Sequence, residues 1–232
     1  MNPYNPRDWQ SHPPYVSPSY KSTGLRGPTK PLIPIPASLS EITGPVYGHE
    51  SVGALDADLT RNNAKNGAPL GERIIVTGRV VDEFDRPQPN TLIEIWQANA
   101  AGRYIHHGDN HDAPLDPNFL GGGRCITDND GRYRFLTVRP GAYPWGNHAN
   151  AWRPNHIHFS LFGPSFATRL ITQMYFPGDP LLELDPIFLG TPEAARDRLI
   201  GSFSIDVTEE GFALGYVFDI VLRGRSETPM EI

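Results

Sequence analysis

The sequence predicts an all-β fold, an antiparallel β-sandwich that follows a long extended N-terminal arm. From Gly71 onward, short runs rich in Val, Ile, Phe and Tyr alternate with turn residues, a pattern typical of antiparallel sandwiches. Before that point the chain is rich in proline, which fixes φ and lacks an amide donor. We therefore expect an arm over residues 1–70 and a sandwich domain, which carries the site, over residues 71–232.

The arm is expected to be extended rather than disordered. Its prolines interrupt regular structure repeatedly. Aromatic residues such as Tyr15 and Tyr20 are interspersed among them, and disordered segments contain few aromatic residues. We expect the arm to wrap over a surface of its own chain or of a partner.

The sandwich domain contains a series of predicted strands and one short helix. In chain order the predicted strands are 73–81, 91–97, 132–138, 156–161, 170–176, 202–207 and 212–222. The helix is predicted near 192–200, because Thr191 can cap it, Pro192 suits the first helical position and Glu193 places an acid in the first turn.

The composition excludes several classes of protein. A net charge of −6 and a pI near 5.7 argue against a nucleic-acid partner. Cys125 is the single cysteine, so no internal disulfide can form and a reducing compartment is expected. No apolar run approaches the roughly 18 residues of a membrane span, and no secretory signal is visible. We therefore expect a cytoplasmic protein.

The predicted strand at 156–161 carries two histidines. Side chains alternate along a strand, so His156 and His158 point to one face and the apolar residues between them to the other. Two neighbouring imidazoles can hold a metal ion. The structural alternative is a pair of buried, hydrogen-bonded histidines.

Two tyrosines upstream decide between these interpretations. Tyr104 ends a strand-like run, and Tyr143 lies within Pro-Gly-Ala-Tyr-Pro. Either tyrosine alone would be interpreted as a packed aromatic residue. In combination with Arg153-Pro-Asn-His-Ile-His, however, the pattern resembles the intradiol ring-cleaving dioxygenases, over roughly residues 12–225.

The resemblance implies one non-haem Fe(III) per chain, held by Tyr104, Tyr143, His156 and His158. Tyrosinate oxygens are hard, anionic donors that suit a trivalent ion. The Fe(II) oxygenases use two histidines and a carboxylate instead, and zinc sites favour His and Cys.

The resemblance also implies O2-dependent cleavage of a carboxylated catechol, 3,4-dihydroxybenzoate (protocatechuate), to 3-carboxy-cis,cis-muconate, a step in aromatic catabolism by the β-ketoadipate pathway. Tyr143 is expected to accept a substrate proton. Arg153 is expected to stabilise negative charge that develops on the substrate. The alternative for Arg153 is a salt bridge to a neighbouring strand.

Four residues are candidate substrate contacts. By resemblance, Tyr20 helps to receive the substrate carboxylate. Gln173 could point into the pocket, and Trp145 and Ile187 could form apolar walls, with core packing as the alternative for these two. Other histidines are interpreted as loop residues: His106, His107, His111 and His148.

The resemblance implies a heteromer with a homologous alpha subunit, repeated several times. One rival is a catechol or hydroxyquinol dioxygenase, but such relatives usually carry a helical N-terminal segment that the proline-rich arm does not predict. Another is a metal-free, transthyretin-like binding module. A third is a non-catalytic partner subunit, against which the retention of all four ligand types argues.

Overall fold

The computed structural model describes residues 10–31, 33, 48–162 and 170–231. Much of the predicted arm, residues 1–9, 32 and 34–47, therefore lies outside the described residues. Its described parts contain a short helix, α1 (Thr23–Arg26), and a 3-10 turn at His49–Ser51, which the prediction of an extended arm did not include.

The strands predicted from the sequence are present, together with three that were not predicted, at Gly122–Ile126, Tyr143–Pro144 and Trp152–Arg153. In chain order, the strands are β1 (Arg73–Val81), β2 (Leu92–Trp96), β3 (Gly122–Ile126), β4 (Arg132–Val138), β5 (Tyr143–Pro144), β6 (Trp152–Arg153), β7 (His156–Phe162), β8 (Leu170–Tyr175), β9 (Ser202–Glu209), β10 (Ala213–Val217) and β11 (Ile220–Val221). The predicted strand over 212–222 is divided into β10 and β11.

Within the described residues the strands form two main sheets and a small β5–β6 ladder. The sheet β3-β2-β7-β8 is antiparallel throughout. The other has the order β11-β1-β10-β9, with β4 also paired to β1. In it β10 and β11 run parallel to β1, so the prediction of a purely antiparallel fold is wrong here. Parallel pairing needs a long connection, which the chain between β1 and β10 supplies.

Buried side chains of the two sheets meet in one hydrophobic cluster. Phe135 of β4 and Phe159 of β7 pack with their ring centroids 5.9 Å apart. Ile157, Phe159 and Leu161 are fully buried in this cluster, whereas the rings of His156 and His158 contact each other on the other face of β7. The predicted alternation along β7 is therefore confirmed, and the face that carries His156 and His158 is available to form a site.

The helix predicted near 192–200 is present as α3 (Glu193–Arg196), followed by a 3-10 turn at Asp197–Leu199. The predicted cap was wrong, because Pro192 and not Thr191 occupies the N-cap position. The expectation of one helix was wrong, because α2 (Pro186–Gly190) precedes α3. Asp185 caps α2 by accepting a hydrogen bond from the Ile187 amide. Over the described ranges, no helix has the length and apolar character to cross a membrane.

Candidate metal centre

The face of β7 that turns away from the core carries both candidate histidines, with ring centroids 4.8 Å apart. The register of β8 places Tyr175 opposite His156 and Gln173 opposite His158. On the other side, β2 places Trp96 opposite His158, and the two rings stack at 4.7 Å. Paired residues of neighbouring strands share a face, so the sheet itself assembles one wall of the site.

Both candidate tyrosines reach this wall. The Tyr143 hydroxyl lies 3.2 Å from Nε2 of His156. The Tyr104 ring meets the Tyr143 ring edge-on, with centroids 5.3 Å apart. The Tyr104 hydroxyl is buried and has no hydrogen-bond partner in the part of the chain that the structure describes. The structure thus brings together the four residues proposed as ligands, and it leaves one donor oxygen unsatisfied.

Each histidine is oriented through Nδ1. Nδ1 of His156 donates to the Pro154 carbonyl oxygen at 2.6 Å, and Nδ1 of His158 lies 3.0 Å from Oε2 of Glu231. Because a carbonyl can only accept, Nδ1 of His156 carries the proton and Nε2 keeps its lone pair. Nε2 is then the atom available to a metal.

The ionisation of these groups suits a cation. Burial, with Arg153 and His158, lowers the pKa of His156 well below its ordinary value, so the ring stays neutral. Burial raises the pKa of Tyr104 well above 10 and also raises that of Tyr143. Both phenols are therefore neutral unless a metal ion supplies the charge that favours the tyrosinate.

The set of donors fits Fe(III) better than zinc. Two phenol oxygens are hard donors, which suit a trivalent ion, whereas zinc sites favour His and Cys. Together with the imidazoles of His156 and His158, the residues present therefore fit the ferric ion that the sequence predicted.

Arg153 lies opposite Tyr143 in the β5–β6 ladder and is buried. Its Nε lies 3.2 Å from the Asp185 carboxylate, and Nη2 donates to Oε1 of Gln173 at 2.5 Å and to the Tyr175 hydroxyl at 3.2 Å. The salt bridge considered for Arg153 is thus present, but its partner caps α2 instead of lying on a strand. Burial disfavours the charge, yet Tyr175 and Asp185 raise the pKa of Arg153 on balance.

Two of the candidate substrate contacts, Gln173 and Trp145, lie beside Arg153, and a third, Tyr20, packs against Trp145. The guanidinium carbon of Arg153 lies 5.6 Å from the centroid of the Trp145 ring. Tyr20 packs edge-on against Trp145 at 5.2 Å. The Trp145 ring nitrogen is buried without a hydrogen-bond partner within the described ranges. Ile187 is buried in α2, two residues after Asp185.

Asn147, which the sequence analysis missed, ties the arm to this site. Its Oδ1 accepts from the Lys21 amide at 3.0 Å, and its Nδ2 donates to the Ser19 carbonyl at 2.8 Å. The two bonds flank Tyr20 and hold it beside Trp145. No local signal identifies Asn147, because its partners are 126 and 128 residues away.

Sequence reasoning also missed Asp185, Tyr175 and Glu231. The Asp-Pro step at the start of α2 is a recognisable capping signal that could have identified Asp185. Three of the four loop histidines make local contacts. They are His106 with the Gly108 amide, His111 with the Gly102 carbonyl and His148 with the Asn150 amide.

Two family models match the chain. A model described as "Dioxygenase" matches residues 42–224, and "Protocatechuate 3,4-dioxygenase beta subunit N terminal" matches residues 5–38. The chain is 72% identical to the protocatechuate 3,4-dioxygenase beta chain of Burkholderia cepacia, over 97% of this chain and 96% of that one. It is 29% identical to hydroxyquinol 1,2-dioxygenase of Rhizobium sp., over 81% of this chain and 64% of that one.

Solved structures share the fold. Catechol 1,2-dioxygenase from Pseudomonas arvilla matches with a TM-score of 0.53 and 26% identity, over 79% of this chain and 61% of that one. 3-Chlorocatechol 1,2-dioxygenase from Rhodococcus opacus matches with a TM-score of 0.56 and 24% identity, over 79% and 72%. At that identity the second match supports the fold alone. The chain therefore belongs to the intradiol ring-cleavage dioxygenase family and not to the transthyretin-like binding modules.

Proposed function

We propose that this chain is the iron-bearing chain of a dioxygenase that cleaves protocatechuate with O2 to 3-carboxy-cis,cis-muconate. The convergence of Tyr104, Tyr143, His156 and His158 carries the proposal. The 72% identity to a protocatechuate 3,4-dioxygenase beta chain supports the substrate. These four residues would hold one Fe(III) per chain: the two histidines on β7, Tyr143 on β5 and Tyr104 in the loop between β2 and β3. When bound, the iron acts as a Lewis acid that withdraws electron density from the catechol ring.

Tyr143 accepts a proton from a substrate hydroxyl. Its oxygen lies within hydrogen-bond distance of His156, at the edge of the candidate ligand cluster. Burial raises the pKa of Tyr143, but Arg153 opposes that rise, so its phenolate is accessible beside a cation. Tyr143 would therefore serve as a ligand to the iron and as the base that receives the substrate proton.

Arg153 stabilises the negative charge that builds up on the substrate. Its guanidinium is held by Asp185, Gln173 and Tyr175 before any substrate arrives. A charge that is already oriented needs no reorganisation during the reaction.

The arm contributes to the choice of substrate. Tyr20 receives the substrate carboxylate, and Trp145 and Ile187 form apolar walls for the ring. Asn147 keeps Tyr20 at this position. The match of residues 5–38 to an N-terminal model of a protocatechuate dioxygenase subunit favours this substrate over catechol and hydroxyquinol.

The chain assembles with a homologous alpha subunit, and the pair is repeated several times in the complex. The designation of the Burkholderia cepacia relative as a beta chain supports this assembly. Co-expression with the alpha chain encoded in the same organism, followed by size measurement, tests it; a stable, active protein lacking the alpha chain would contradict it.

The visible spectrum tests the proposed function directly. Iron-loaded protein should be burgundy red from tyrosinate-to-Fe(III) charge transfer. Adding 3,4-dihydroxybenzoate without oxygen should change this spectrum, and admitting oxygen should then produce the muconate. Tyr143→Phe should keep iron but slow substrate binding and product release. Tyr216→Phe, in the core against Phe176, is the matched control. A colourless, iron-replete protein would end the proposal, and a higher kcat/KM for catechol would favour the rival specificity.

A further inference from the structure

The segment 227–231 carries a carboxylate to the back of the candidate metal centre. Oε2 of Glu231 lies 3.0 Å from Nδ1 of His158, and the two side chains are 22% and 10% exposed. We propose that Glu231 is a positioning residue whose carboxylate accepts a hydrogen bond from Nδ1–H of His158 and so holds Nε2 of that ring toward the iron. This inference rests on the proposed function, because it concerns the same metal.

Two contacts together leave His158 little freedom. Its ring stacks on Trp96 with an interplanar angle of 5°, which sets the plane of the ring. Within that plane, the carboxylate selects which nitrogen faces inward. A metal-bound histidine commonly donates its second nitrogen to a carboxylate or carbonyl, which fixes the tautomer and makes the ring a stronger donor.

The two candidate histidine ligands are not equivalent in this respect. His156 donates to a neutral acceptor, the Pro154 carbonyl, whereas His158 faces a carboxylate. A hydrogen bond to a charged acceptor is stronger than one to a neutral acceptor. His158 should therefore be the stronger donor to the metal.

Glu231 is itself held at several points. Its amide donates to the Ile171 carbonyl at 2.8 Å, and Thr172 donates to the Pro229 carbonyl at 2.7 Å. The Met230 amide donates to Nδ1 of His12 at 3.0 Å. Strand β8 and the arm thus hold the segment on either side of the carboxylate.

His12 completes this anchor. It is buried, and its Nε2 lies 2.6 Å from the Glu227 carboxylate, while its Nδ1 accepts from Met230. The arm is thereby fastened to the segment that carries Glu231.

The test compares Glu231→Ala and Glu231→Gln in the iron-loaded holoenzyme. Loss of a carboxylate behind a metal-bound histidine typically costs about 10–100-fold in metal affinity. We expect Glu231→Ala to release iron to a chelator about 10–100-fold faster. Glu231→Gln keeps an acceptor oxygen without the charge, so its release rate should be intermediate. Both variants should shift the charge-transfer band, which a merely structural role would not move.

Glu209→Gln is the matched control, because it removes a carboxylate from an exposed ion pair with Arg134. It should match the wild type in release rate and spectrum. Should Glu231→Ala fail to fold, the band position of Glu231→Gln decides. A wild-type protein that holds no iron would overturn the proposed function and this inference together. An iron-loaded wild type whose Glu231 variants keep its spectrum and release rate would overturn only the role of Glu231.

Discussion

Nε of Arg153 lies 3.2 Å from the Asp185 carboxylate, and these side chains are only 5% and 0% exposed. A buried ion pair adds little net stability, because desolvation offsets the attraction. Removing one partner is destabilising, however, because it leaves the other charge buried without a counter-ion. The structural role of Asp185 is therefore to orient the guanidinium of Arg153 and to cap α2 at the same time.

Asp185→Asn should lower kcat by about 10–100-fold while iron content stays unchanged, because Arg153 loses its counter-ion and its orientation. The free energy of unfolding should fall by up to about 3–5 kcal/mol. Enzyme kinetics, metal analysis and urea unfolding measure the three quantities. Glu83→Gln, in a more exposed pair with Arg223, should change stability by less than about 1 kcal/mol. Unaltered kcat and stability in Asp185→Asn would contradict this role.

Asn147→Ala should raise KM for 3,4-dihydroxybenzoate by about 10-fold. The variant loses the two hydrogen bonds that hold the backbone on either side of Tyr20. Tyr20 then no longer bonds the substrate carboxylate, and a hydrogen bond to a charged group is worth about 1.4 kcal/mol or more, which is a factor of about 10. KM for catechol, which has no carboxylate, should not change. Asn118→Ala is the matched control, since Asn118 accepts from the Lys65 and Asn66 amides. Equal effects on both substrates would show that Asn147 has no part in selectivity.

His156→Ala should abolish iron retention, because it removes a buried neutral donor from the cluster. Metal analysis of the purified variant should find iron near zero per chain. His106→Ala, in an exposed loop, should keep the wild-type content. Removing iron from the wild type with a chelator should abolish colour and activity, and Fe should restore both. Full occupancy in His156→Ala would show that the ligand set is wrong.

Cys125 should resist thiol reagents in the native protein at pH 8–10. Burial raises its pKa from 9.0 to about 12, so the neutral thiol persists in the folded state. A raised pKa contributes stability that is complete below pH 9 and is lost as pH rises toward 12. Labelling kinetics in buffer and in denaturant measure the protection. Native labelling as fast as in the denatured chain would contradict the prediction.

Much of the site follows from the sequence alone. Side chains alternate along a strand, so the spacing of His156 and His158 is enough to place them on one face, opposite the apolar core residues. The combination of these histidines with Tyr104, Tyr143 and Arg153 is enough to indicate the family. Local periodicity and residue type carry these conclusions, and neither depends on distant contacts.

Only the tertiary structure decided which residues support that site. Asn147 lies 126 residues from Lys21, Glu231 lies 73 residues from His158, and Asp185 lies 32 residues from Arg153. The parallel pairing of β1 with β10 also depends on how the chain returns to the sheet. No local pattern encodes such contacts, because they form when packing of the sheets and the arm excludes water and buried polar groups must find partners.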